Sequence, residues 1–325
     1  MKTVSIGRLT SEFIFSGDPV IVSAVPNRFT EGSIFRQIVV DVQCDIMPIS
    51  GNRSFQFVVA AIDNNKEVIL DISSALRSTL SQWQYDASSV VDGARITYPY
   101  LQFYVTAHER EMTADGKVID YTSTKEPSGE GVSFKAYLGR VGEYARWNGI
   151  KPDGTKFSSK PAGEVSASGQ LMCLAALTES GVTTTVAAAG TNHFSERKVF
   201  LFVNSYGVFE TISVLANESM SYEVSSTRLA LSQPPSYIAK PAVSTHKQGG
   251  GAVWQMSSGY VNREWADWFA SEFLMARQYW MRYDGKWLPV AVEPDGDTVA
   301  VADRNDPSLL SVNFTVRSAV SGSIR

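Results

Sequence analysis

Three histidines, His108, His193 and His246, are the first residues to weigh for chemistry, because imidazole is the usual metal ligand and acid–base group near neutral pH. They lie far apart, and none has a second histidine at the spacing that a metal site uses. The run His108, Glu109, Arg110, Glu111 lacks the paired histidines of the helical zinc motif and ends an alternating stretch, so it reads as a solvent-facing strand end. No Gly-x-Ser-x-Gly elbow is present, which removes the signature of that class of serine hydrolase, although a triad made of spatial neighbours would leave no local trace. Gly149 and Gly154 have the separation of a phosphate-binding loop. Thr155 precedes Lys156, however, where such a loop needs Lys before Thr or Ser, and no buried strand or amphipathic helix flanks it.

Carboxylates gather near the end of the chain at Glu293, Asp295, Asp297, Asp303 and Asp306. An oxygen-rich loop suits calcium, and a pair of carboxylates can hydrolyse a glycoside. Asp295-Gly296 and Asn305-Asp306-Pro307 are also what tight turns require, and turns are the reading favoured here. Cys44 and Cys173 stand apart in apolar runs, a pattern that supports reduced core thiols rather than a disulfide framework or a zinc site. The expectation is a non-enzymatic protein with no catalytic residue, no cofactor and no metal.

The elements that would carry any site are mostly strands. Ile38, Val40, Val42, Cys44 and Ile46 alternate with Gln37, Asp41, Gln43 and Asp45, the period of a half-buried strand. Ser54 to Ile62 repeats the theme after the Gly51-Asn52 turn. Leu101, Phe103, Val105 and Ala107 alternate with Gln102, Tyr104, Thr106 and His108. Pro99 marks that stretch as an edge strand or one entered by a bend. A helix is expected from Asp71 to Trp83, capped by Asp71 or Ser73, with Ile72, Leu76 and Leu80 on one face. The 112–131 and 147–169 stretches read as loops, the second rich in Gly, Ser, Lys and Pro. Two readings of that second loop stand level: contacts with a partner, or disorder until a neighbour packs on it.

Further along, strands are expected at 198–203, 208–215, 222–231 and 251–256, while 181–189 is ambiguous in period. Asn262 can cap a helix over 262–277 that stacks Trp265, Trp268, Phe269, Phe273 and Ala276 on one face. Trp280 and Trp287 flank the turn Asp284-Gly285, in position to pair across a hairpin. Strands at 286–292, 298–302 and 308–320 close the chain. The fold class expected is mainly β, with sandwich- or barrel-like domains, two or three short helices and an α+β C-terminal part. The division expected is a β domain over 1–125, a loop-rich segment over 126–197 and a β-rich domain over 198–325.

A chain of 325 residues with 44% hydrophobic and 19% charged residues is long and apolar enough for packed cores rather than disorder. A net charge of −4 with no Lys/Arg block argues against nucleic-acid binding, and no apolar run reaches membrane-spanning length. Ser5, Arg8, Ser11, Glu12 and Asp18 interrupt the N-terminal stretch, so no signal peptide is expected and synthesis in a reducing cytoplasm is. Seven Trp, thirteen Tyr and sixteen Phe remain as the dominant feature. They suit a sugar-stacking platform on an outward β face, or packing. The helical spacing of Trp265, Trp268 and Phe269 favours packing, with Trp287 in the same role.

Phe202, Asn204, Gly207, Glu210 and Thr211 form a strand of the pattern aromatic-x-N-x-x-G-x-x-E/D-T/S. Trp265 and Trp268 follow, then Trp287, Pro289 and Val290, then a turn with Asp303, Asn305 and Asp306, and last Phe314, Arg317 and Ala319. In this order they resemble the C-terminal half of tail-associated virion proteins of Bacteroidota phages and prophages, over 198–319. The resemblance implies a structural virion protein made in the bacterial cytoplasm, located at a tail tip or baseplate and assembled into a homo-oligomeric ring. Its partners would be copies of itself and other tail proteins. The loop residues Lys151, Lys156 and Lys160 are the expected assembly contacts. The alternative is a carbohydrate-binding or adhesin-like β protein that recognises a host surface glycan. A glycoside hydrolase using the C-terminal carboxylates is a third reading.

Overall fold

The computed structural model describes residues 5–6, 13–25, 35–45, 52–61, 68–81, 83–112, 118–119, 131–161, 172–187, 197–215, 219–222, 225–230, 243–248, 251–295 and 310–319. Among them the protein is mainly β, with three short α-helices, the last continued by a π-turn. Strand Phe35–Asp45 pairs antiparallel with Asn52–Ala61 on one side and with Leu101–Met112 on the other. Val132–Tyr137 adds to Leu101–Met112, and Ile14–Phe15 lies parallel to it, completing most of a six-stranded sheet. Ile38, Val40, Val42 and Cys44 point into the core beside Phe103, Val105 and Ala107. Ile46 lies outside the described residues.

Pro99 meets both expectations, the edge and the bend. It ends the short strand Arg95–Pro99, which is the edge of a three-stranded sheet with Gly181–Ala187 and Met172–Thr178. After Tyr100 the chain enters Leu101–Met112, an interior strand whose N–H groups are all available for pairing. Helix Ser73–Leu80 begins after Asp71, whose Oδ1 accepts from the backbone N–H of Ser73 at 2.9 Å and of Val20 at 3.1 Å. Ile72, Leu76 and Leu80 are buried beneath it.

The C-terminal half forms a seven-stranded antiparallel sheet. Its order is Phe209–Leu215, Arg197–Val203, Tyr279–Tyr283, Lys286–Pro294, Leu310–Ser318, Ala252–Val261, Ser219–Tyr222. The hairpin Tyr279–Pro294 turns on Asp284 (φ 48°) and Gly285 (φ 73°), the two left-handed residues of a tight turn that follows strand twist. The sheet coils strongly. Phe200 and Phe314 belong to strands with two others between them, yet their rings lie 6.0 Å apart. A helix fills the concave side. Asn262 caps it by accepting from the N–H of Trp265 at 2.9 Å.

That helix departs from its expected form. Arg263–Trp268 is α-helical, but Phe269–Phe273 is a π-turn, closed by Leu274 N–H to Phe269 C=O at 2.9 Å. The wider turn ends the helix at Phe273, short of the expected 277, and Ala276 sits beyond it. It sets Phe273 at the hub of Phe200 (5.5 Å), Phe202 (5.3 Å), Phe269 (4.7 Å), Tyr279 (5.5 Å) and Phe314 (5.9 Å).

Two cores result, and one strand serves both. Phe200 and Phe202 face the helix, whereas Leu201 belongs with Phe15, Tyr98, Phe157 and Phe209 in the other core. A strand buried on both faces needs a continuous apolar run, which Val199 to Val203 supplies. Phe273→Ala should therefore cost about 3–5 kcal/mol by emptying the hub. Urea denaturation measures this, and a loss below about 1 kcal/mol would contradict the packing described.

Candidate functional site

The buried polar residues converge where the two cores meet. The turn after the shared strand places Asn204 with its Oδ1 accepting from Val208 N–H at 3.2 Å. Its Nδ2 donates to the Phe157 carbonyl and to Glu210 Oε2, both at 2.9 Å. Glu210 is 2% exposed, so its charge must be matched in place. Lys160 supplies the match, its Nζ lying 3.5 Å from Oε1 and also donating to the Thr211 carbonyl. Ser158 Oγ donates to the same carboxylate oxygen, and Trp268 Nε1 donates to Ser159 Oγ at 3.3 Å. The pair is neutral as a whole and well supplied with hydrogen bonds. It can hold three segments together.

Lys160 therefore points inward, while Lys151 and Lys156, expected beside it as assembly contacts, are exposed. The 151–161 segment is pinned by Phe157 and Ser159, each 1% exposed. It also covers the edge of Met172–Thr178, with Phe157 N–H donating to Ala175 C=O and Leu177 N–H to Gly154 C=O. Of the packing residues, Trp268 and Phe269 are buried, and Trp265 is half-buried edge-on to Trp268 at 5.3 Å.

Glu272 is a second buried carboxylate, on the π-turn and 3% exposed. Its Oε2 accepts from Ser205 N–H at 3.3 Å, and Oε1 has no donor in place. A side chain at Gly142 would strike that carboxylate, since a Cβ there would lie 1.7 Å from Oε1. Burial raises the Glu272 carboxyl from 4.5 to about 7; the Glu210 charge adds to the rise and the Ser205 hydrogen bonds oppose it. The sequence carried a signal for it. Glu272 falls on the apolar stripe of Trp265, Trp268 and Phe269, where a charge has no reason to be unless it is held.

On the opposite face of the sheet, Trp280 and Trp287 line an open groove of about 630 Å³ with residues 85–92. They are diagonal neighbours rather than a directly opposed pair, because Trp280 faces Pro289 and Trp287 faces Arg282. Trp287 Nε1 donates to the Val90 carbonyl at 3.0 Å, tying the hairpin to the other half of the molecule.

The remaining candidates do not meet among the described residues. His108 Nδ1 lies 3.2 Å from Asp41 Oδ2 on the six-stranded sheet, His246 is in the strand Val243–Gln248, and His193 is outside the described residues. Glu293 is exposed and pairs with Arg317 at 3.1 Å, and Asp295 is exposed at the strand end. Asp297, Asp303 and Asp306 lie outside the described residues. Cys44 is buried, and burial pushes the Cys173 thiol up to about 12. Among the described residues no group of three His, Cys, Asp or Glu comes together as a metal site. No family model matches this sequence, and no curated protein matches it.

Because the folded protein holds the Glu272 proton more tightly than the unfolded chain does, this group's contribution is fully present below about pH 4.5 and is lost as pH rises through about 7. Glu272→Gln should remove a loss on the order of 3 kcal/mol between those limits and stabilise the protein at pH 8. Unfolding free energies of both proteins across that range give the check. Parallel curves would show that Glu272 is not the titrating group.

Proposed function

We propose that this chain is a non-enzymatic structural subunit, a phage tail component that assembles with copies of itself into a ring at the tail tip or baseplate. Its buried charges are engaged in holding segments together. The residues that resemble tail-associated virion proteins occupy structural positions: Asn204 and Glu210 in the buried node, Trp268 and Phe314 in the helix-side core.

The observation that carries the assembly reading is the edge strand Asn52–Ala61. It is ten residues long and ends the six-stranded sheet, with no partner on its outer side among the described residues. Phe55 and Phe57 pack against the core from it yet stay half-buried, because the sheet stops there. Val58 is 48% exposed on the other face. A long open edge is a template for another strand, and natural proteins blunt such edges unless they are used. Adding a strand from a neighbour would complete the hydrogen bonding and cover both phenylalanines. A head-to-tail contact of this kind closes into a ring when its rotation allows.

Light scattering over a concentration series should show a defined oligomer. Lysines at two outward positions of the edge, Ser54→Lys with Val58→Lys, should weaken it at least about tenfold without changing the circular dichroism. A wild-type monomer at every concentration would rule out self-assembly of the isolated chain.

A further inference from the structure

The groove behind the aromatic sheet is a different kind of surface from the open strand edge, and its lining is specific. Trp280 is held edge-on against Phe209 at 5.6 Å, and Trp287 is fixed by its bond to Val90. Tyr85 is likewise fixed, its hydroxyl donating to the Gly207 carbonyl at 2.7 Å. Three rings whose rotamers are set by buried partners make a rigid wall that costs little to order on binding. The guanidinium of Arg282 lies over the Trp287 ring at 5.7 Å, so its N–H groups stand beside the aromatic floor. The exposed residues Asp86 and Asp92 line the same groove. Asp86 has one oxygen engaged by Ser88, and Asp92 has no ion-pair partner among the described residues.

The mixture selects an occupant. A nucleic-acid or phosphate ligand needs a surplus of cations, whereas Arg282 and Lys286 here are balanced by Asp86 and Asp92. A lipid chain or apolar peptide needs a continuous apolar channel, and this groove has charged rims. A sugar ring needs an apolar plane for its C–H face, with donors and acceptors around the perimeter for its hydroxyls. Indole, guanidinium and carboxylate supply that combination, and the volume falls in the range of small-ligand sites. We propose that the groove formed by residues 85–92 and the 280–287 hairpin binds a neutral saccharide, stacked on the tryptophan wall with its hydroxyls bridging Arg282 and Asp92.

The test uses the full chain with three probes: maltotriose and chitotriose as neutral sugars, and trigalacturonate as an acidic one. Tryptophan fluorescence and saturation-transfer NMR report binding, and thermal unfolding reports the fold. At least one neutral probe should bind. Arg282→Ala and Asp92→Asn, both at exposed positions, should each weaken it roughly tenfold with an unchanged unfolding midpoint. Trp280→Phe keeps the packing against Phe209 but shrinks the platform, and should weaken it as well. Binding of neither neutral probe would overturn the assignment, as would binding of the acidic probe alone. Neutral binding of equal strength in all three variants would place the sugar elsewhere and overturn it too.

Discussion

The ion pair between Lys160 and Glu210 is the contact on which the rest of the architecture depends. Burying one charge is expensive and burying two is tolerated only when they meet with their remaining hydrogen bonds supplied. Here Ser158, Asn204 and the Thr211 carbonyl supply them. The consequence reaches both cores. Seating Lys160 carries Phe157 into one core and Ser159 against Trp268 in the other. Removing one partner would leave an unmatched charge, at a cost of about 3–5 kcal/mol, while an apolar replacement of both could be neutral. The pair therefore contributes register more than net stability: with it, the 151–161 segment has one seat.

The two cores are coupled through the shared strand as well. Leu201 and Phe202 are fully buried on opposite faces, so the strand cannot shift by one residue without exchanging the two sets. Backbone contact reinforces this. Gly139 adopts φ 82°, and a Cβ on it would lie 2.3 Å from the Ser205 carbonyl, so the turn after Val132–Tyr137 rests directly on the turn after Arg197–Val203. Glu272 sits beside that junction with one oxygen unmatched. Ser205 Oγ and Tyr206 Oη, on the neighbouring turn, are likewise buried with no hydrogen-bond partner in place, so Glu272 is one of three unmet polar groups there.

Features with local causes were legible in the sequence. The alternation from Ile38 to Cys44, the Asp284-Gly285 turn and the Asn262 cap each follow from residues within one turn or one strand. Features with distant causes were not. The Gly-, Ser- and Lys-rich loop read equally as a partner contact or as disorder, because the partner of Lys160 lies in another strand. Of its two aromatics, Trp147 is exposed and Phe157 was the residue to notice. The π-turn was hidden because the pattern of Trp265, Trp268, Phe269 and Phe273 fits an α-helix equally well. Only the packing of Phe273 among five rings makes the wider turn worthwhile. The groove was half legible: both tryptophans stood out, but the loop that faces them lies in the other half of the chain.

The aromatic content divides by strand alternation into two roles. On the hairpin, Tyr279 and Met281 turn toward the helix and are buried, while Trp280 and Arg282 turn the other way. The same period of two that builds the core thus places an indole and a guanidinium on the outer face, where Tyr85 and Asp86 come to meet them. Large aromatic side chains stabilise the inner face by burial. On the outer face they are only partly covered, and Trp287 uses its N–H to anchor the opposing loop rather than to reach solvent. An indole held rigid and half-exposed beside a balanced set of charges is poorly explained by packing alone, because a smaller apolar residue would seal the same seam with less exposed surface. The hairpin is built to be stable on one side and to present a surface on the other.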